Sequence, residues 1–137
     1  MKKIITIILV AASCIWAFNV KNLSECTVSK RHIADYNNWD AFSIKCHTPI
    51  EYEIEIDIMW HDVYSCSEYI YTENGKKTDA LYFDHEGNAH YEISEMDEYG
   101  VYISMNNQII STNKANRLLM KKWEYFKKLK KQIENEE

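Results

Sequence analysis

Three residues with the makings of an activated nucleophile, His61, Asp62 and Cys66, fall close together in the chain. A thiol becomes a catalyst when a base lies within hydrogen-bond reach of it. On an extended strand these three side chains spread over roughly 15 Å and need not converge. A thiol in an oxidising compartment is more often half of a disulfide. His85 and His90 flank a turn beside Asp84, but zinc needs three or four such ligands converging at about 2 Å, and no spacing here matches a metal signature. With three glycines in 137 residues the chain carries neither a GxSxG elbow nor a glycine-rich phosphate loop. No catalytic residue, metal or cofactor is therefore assigned.

The densest set of ionisable groups is a stripe. In IEYEIEIDIMW, Ile50 to Trp60, the carboxylates Glu51, Glu53, Glu55 and Asp57 alternate with Ile50, Tyr52, Ile54, Ile56 and Ile58. Period-two alternation makes this a β-strand with one apolar and one acidic side, since a helix would scatter the carboxylates around its circumference. A glycosidase needs two carboxyls facing each other across a cleft. Neighbours two apart on one wet face instead stay ionised and attract cations or a basic partner. With Trp60, Tyr69 and Tyr71 they form the candidate partner surface, because amphipathic rings suit recognition as well as sheet packing.

The elements that must carry this stripe are short strands. Cys26 to His32 reads as one, followed by a loop through Tyr36, Asn37 and Asn38. Phe42, Ile44 and Cys46 alternate with Ser43 and Lys45, and Pro49 marks a turn before the central strand. Val63 to Thr72 is a strand whose alternation slips at Ser67 and Glu68, which predicts a bulge there. Asn74 and Gly75 predict a tight turn, with the polar run through Asp79 lengthening the loop. Ala80 to Asp84 and His90 to Ile93 follow, and Val101 to Met105 is expected to pair with Gln108 to Ser111 across Asn106 and Asn107. The expected fold is mainly β: a six- to seven-strand antiparallel meander, curled or closed into a small barrel, with a C-terminal amphipathic helix packed on it.

That helix is announced by Asn113 as N-cap and by Ala115, Leu119, Trp123, Phe126 and Ile133, flanked by Leu118 and Leu129, at three- and four-residue steps. Acidic residues in its last turn predict fraying beyond Gln132. Charge is split between the parts: residues 18–112 carry 6 Lys or Arg against 17 Asp or Glu, a balance of −11, and residues 113–137 carry 8 against 4, a balance of +4. Lys121, Lys122, Lys127, Lys128, Lys130 and Lys131 are expected on the solvated face of the helix, available to the acidic body or to an anionic surface. Nucleic acid is not an expected partner of so acidic a body.

At the N-terminus Lys2 and Lys3 precede an apolar run from Ile4 to Ala12 and a small-residue zone ending at Ala17, the pattern of a secretory signal peptide cut after Ala17. Lipidation of Cys14, loosely framed by Ala11, Ala12 and Ser13, is one alternative. An uncleaved anchor is the other, about 15 residues long where a span wants roughly 20. Each reading exports the body, so the division is signal peptide 1–17, β-rich domain 18–112 and basic helix 113–137. Cys26, Cys46 and Cys66 then leave one disulfide and one thiol. The shared inward parity of Cys46 with Phe42 and Ile44 favours Cys26 with Cys46.

The general plan resembles that of exported bacterial lysozyme inhibitors and lipocalin-like binders, a likeness of architecture that transfers no site. The expectation is a non-enzymatic bacterial or phage-encoded protein of the periplasm or cell envelope that presents its acidic, tyrosine-rich sheet face to a protein partner. The alternatives are a carrier of a small apolar ligand inside the curled sheet, or an envelope lipoprotein touching the membrane through Cys14 or the basic helix.

Overall fold

Strict alternation in the central strand leaves one sheet face apolar, and an apolar face must be covered. The computed structural model describes residues 25–32, 39–47 and 50–136 and shows what covers it. Seven strands, β1 (Cys26–His32), β2 (Trp39–Cys46), β3 (Glu51–Met59), β4 (Asp62–Thr72), β5 (Gly75–Phe83), β6 (Ala89–Asp97) and β7 (Tyr102–Ile110), form one sheet in sequence order. All neighbours are antiparallel. The sheet is an open meander rather than a closed barrel, and one helix, α1 (Thr112–Glu136), lies on its apolar face. The readings of Cys14, of cleavage after Ala17, of the Tyr36–Asn38 loop and of the Pro49 turn lie outside the described residues.

Between helix and sheet, Ile44 of β2, Ile54 and Ile56 of β3, and Leu81 of β5 meet Leu119, Phe126, Leu129 and Ile133 of α1. Phe42 packs its ring 5.4 Å from Trp123 and 6.2 Å from Phe126. The edge strand β1 is fastened by the Cys26–Cys46 disulfide, which joins residues directly opposite in the β1–β2 register. This is the pairing expected from parity, and a disulfide fits an oxidising location.

Several local readings are corrected. The β3–β4 irregularity lies between Asp57 and Ile58, where Tyr64 is the additional residue, and the ladder runs regularly through Ser67 and Glu68. Tyr64 sits between the rings of Trp39 and Phe83, 6.1 and 6.0 Å away. The β4–β5 connection is a two-residue turn, Glu73 and Asn74, because Thr72 already pairs with Gly75, and Lys76 to Asp79 are strand rather than loop. Gly75, at φ +140°, abuts the backbone of β6, where a Cβ would collide with the carbonyl oxygen of Met96. Asn106 and Asn107 do not turn; they sit inside the continuous strand β7. The N-cap is Ser111, not Asn113: its Oγ accepts the Lys114 backbone N–H at 3.1 Å, and its carbonyl accepts that of Ala115. The helix runs to Glu136 rather than fraying at Gln132, its end tied by the Lys130–Glu134 pair.

Candidate functional site

The face turned away from α1 carries the acidic stripe. Register places its side chains in rows across the sheet. One row runs Thr27, Lys45, Glu53, Tyr69, Thr78 and Ser94, and the next runs Ser29, Ser43, Glu55, Ser67, Ala80 and Glu92. Arg31, Ala41, Asp57 and Ser65 make a third. Small side chains thus fill the middle of the face. Ala41 and Ser94 are each only 5% exposed although no layer among the described residues covers them, because the longer side chains around them wall them in.

Electrostatics follow from that shape. Glu55 is half-buried, and burial, then the neighbouring charges of Asp57 and Glu53, raises its carboxyl above the ordinary range. Burial also raises Asp57, against the hydrogen bond donated by Ser65 Oγ at 3.0 Å. Glu53 accepts from the Tyr71 hydroxyl at 3.3 Å and lies 3.9 Å from Lys45 Nζ. Tyr69 and Tyr71 stand side by side, ring centres 6.3 Å apart, with Lys76 Nζ 5.1 Å above the Tyr69 ring. A hollow of about 270 Å³ opens between the stripe and β1, its walls including Arg31, Lys45, Glu53 and Glu55. A wider recess of about 480 Å³ lies at the Glu51 end, beside His47, Tyr71 and Glu73.

The structure therefore brings together Glu51, Glu53, Glu55, Asp57, Tyr69 and Tyr71. It places Trp60 at the opposite end of β3 from Glu51, Glu53, Tyr69 and Tyr71. Trp60 and His61 form the β3–β4 turn, both with positive φ (54° and 70°), and Trp60 lies nine residues, about 30 Å along the strand, from the Glu51–Tyr71 end of the stripe. Trp60 is 65% exposed at that tip. Since all four carboxylates project from one strand, they line one wall; they do not oppose each other across a cleft.

The six lysines of the helix also divide. Lys121, Lys127, Lys128 and Lys131 are exposed and Lys130 is half-buried. Lys127 reaches Glu124 and lies over the Trp123 ring. Lys122 is not on the solvated face: it is 2% exposed and paired with the equally buried Glu68 of β4. The reason is helical phase, because Lys122 falls in the stripe Ala115, Leu119, Lys122, Phe126, Leu129 and Ile133, at steps of four and three. Around the pair, Tyr52 donates its hydroxyl to Glu68 at 2.5 Å. Asp79, directly across the ladder from Glu68, accepts from Tyr91 at 3.0 Å. Burial pushes Asp79 up to about 6 and Lys122 down to about 8, the latter opposed by the neighbouring Cys66. Cys66 borders this cluster, and burial pushes its thiol up to about 12, so it is not a nucleophile at neutral pH. Sequence reasoning missed this polar core. Its signals are phase alone: Lys122 in the helical stripe, and Glu68 sharing the parity of Cys66 and Ile70.

His90 is engaged at both ring nitrogens. Nδ1 meets Asn107 Oδ1 at 2.7 Å and Nε2 meets Asp84 Oδ2 at 2.8 Å. The Asn107 amide group donates to Tyr82 and Glu92, which turns its oxygen toward the ring, so both imidazole nitrogens face acceptors, an arrangement that favours the charged ring. Those contacts raise His90, first the bond to Asn107 and then that to Asp84, while Asp84 is lowered to about 2 by His90 and by backbone N–H groups. Among the described residues no group of three His, Cys, Asp or Glu side chains could hold a metal ion. Among the described residues, side chains of the sheet and of α1 pack into one apolar cluster between helix and sheet.

No family model, curated protein or solved structure matches this chain, and its open face is read from its own geometry.

Proposed function

We propose that this chain is an exported, non-enzymatic binding protein whose hollowed acidic face receives an extended basic segment of a protein partner. The observation that carries the reading is the state of Glu55 and Asp57, half-buried carboxylates held above their ordinary range on a face that no layer among the described residues covers. A cationic side chain entering the hollow screens their mutual repulsion and offsets the cost of their burial with an opposite charge. Tyr69 and Tyr71 supply rings on which a lysine or arginine can stack, as Lys76 already does on Tyr69. Arg31 and Lys45 on the opposite wall set the register of such a segment by repelling misplaced cations.

The test is calorimetric titration with a short peptide alternating lysine and serine, at low and at physiological salt. Binding is expected at low salt and is expected to weaken as salt rises. The triple substitution Glu53→Gln, Glu55→Gln, Asp57→Asn is expected to lower affinity at least about ten-fold. A peptide that binds the triple variant as tightly as the parent, or binds neither, refutes the reading.

A further inference from the structure

The two edges of the open sheet are built differently. β1 carries Lys30, Arg31 and His32 and is locked by a disulfide, and charge of this kind blocks edge-to-edge pairing. β7, YISMNNQII, has no charged residue and no proline over nine positions. Its exposed side chains include Tyr102, Ile103, Met105 and Ile109, and Val101 just before the strand is exposed as well. Among the described residues nothing pairs with its outer side, which leaves a row of backbone donors and acceptors open to another strand.

We infer that β7 pairs antiparallel with β7 of a second copy of this chain. The pattern of the strand selects that occupant. Beyond the irregularity at Ile103, the regular ladder with β6 spans Ser104 to Ile110, and its midpoint is Asn107. A two-fold axis through Asn107 sets Met105 opposite Ile109 of the copy, twice, on the open face. It sets Asn106 opposite Gln108, twice, on the helix face. At those positions apolar meets apolar and amide meets amide; Ser104 falls opposite Ile110, twice, on the helix face, and no charge meets a like charge. Such self-complementarity is what an isologous interface requires. Antiparallel pairing at an edge places the axis perpendicular to the sheet, so both helices lie on one side and both acidic faces on the other. The product is one fourteen-strand sheet from two seven-strand ones, closed at both ends by the charged β1 edges.

The experiment is sedimentation of the full chain over a concentration series, beside two double variants at these exposed positions. Met105→Lys with Ile109→Lys sets lysine against lysine at both contacts; Met105→Lys with Ile109→Glu sets opposite charges there. The parent is expected as a reversible monomer–dimer equilibrium. The lysine–lysine variant is expected to dissociate at least ten-fold more readily and the lysine–glutamate variant to dimerise like the parent, with thermal midpoints of all three alike at concentrations dilute enough to keep each monomeric. A parent that stays monomeric, or grows past the dimer, overturns the inference. So does a lysine–lysine variant that dimerises undiminished, or a lysine–glutamate variant as monomeric as the lysine–lysine one.

Discussion

Replacing Asp79 by Asn should reverse sign with pH. In the native protein the carboxyl is 1% exposed, accepts from Tyr91 through Oδ2, and has no hydrogen-bond partner at Oδ1 among the described residues. Its folded value is about 6 against an ordinary 3.8. An acid whose folded value is raised holds its proton longer in the native state than in the unfolded chain. It therefore contributes nothing to pH dependence below about pH 4, lowers stability as pH climbs from about 4 to about 6, and levels off above. At about 1.4 kcal/mol per pH unit, that interval makes ionised Asp79 destabilising by about 3 kcal/mol. Asparagine keeps an acceptor for Tyr91 but sets an amide donor where Oδ1 has no partner, at a cost of about 1 to 3 kcal/mol independent of pH. Urea unfolding followed by tryptophan fluorescence at about pH 4 and about pH 8 measures both terms. The variant should be the less stable protein at the lower pH. The difference, variant minus parent, should then shift by about 3 kcal/mol in its favour at the higher pH. Glu55 and Asp57, also raised, are present in both proteins and cancel. A difference that is the same at both pH values refutes the reasoning, because Asp79 would then be ionised, or neutral, throughout.

The Lys122–Glu68 pair should behave as a unit: Lys122→Met alone leaves a buried carboxylate and should cost about 3 to 5 kcal/mol, while Lys122→Met with Glu68→Leu should recover most of that. A double variant no more stable than the single one, by the same urea assay, counts against the pairing. Removing the disulfide with Cys26→Ala and Cys46→Ala should cost about 2 to 4 kcal/mol and raise amide exchange first in β1, whose only ladder among the described residues is with β2. Cys66, 1% exposed, should react with a thiol reagent only as fast as the protein opens; prompt labelling in the native state would place it outside the core. Ile54→Asp puts a charge at the centre of the helix–sheet interface, where Ile54 is fully buried, and should yield no cooperative thermal transition.

Much of the architecture could be read in the sequence because the residues that build it obey their periods. β3 alternates without exception, β1 begins and ends where its composition says, and the shared parity of Cys46, Phe42 and Ile44 favoured the observed disulfide. The misreadings trace to polar residues doing an apolar residue's job, or the reverse. Glu68 looks like a slip of register because a carboxylate on the inward side breaks the alternation, yet the ladder is regular and Lys122 satisfies the charge. Lys122 looks like surface because lysine usually is. Asn106 and Asn107 look like a turn because asparagine bonds its own backbone readily; the Asn107 side chain is instead held by His90, Tyr82 and Glu92 on the neighbouring strands. The acidic face was legible as a stripe. Its hollow was not, since the walls come from side chains of β1, β2 and β3, none of which signals it alone.

The strict meander has a consequence for the order in which the molecule assembles. Every strand pairs with the one made just before it, so short loops close early and the sheet can grow hairpin by hairpin as the chain emerges. The helix comes last, and the contact that seats it joins residues 54 positions apart. Until it docks, Ile44, Ile54, Ile56 and Leu81 form a bare apolar surface on an otherwise finished sheet. The sheet is therefore most prone to aggregate once all seven strands are in place and the 25-residue helix that follows them has not yet docked.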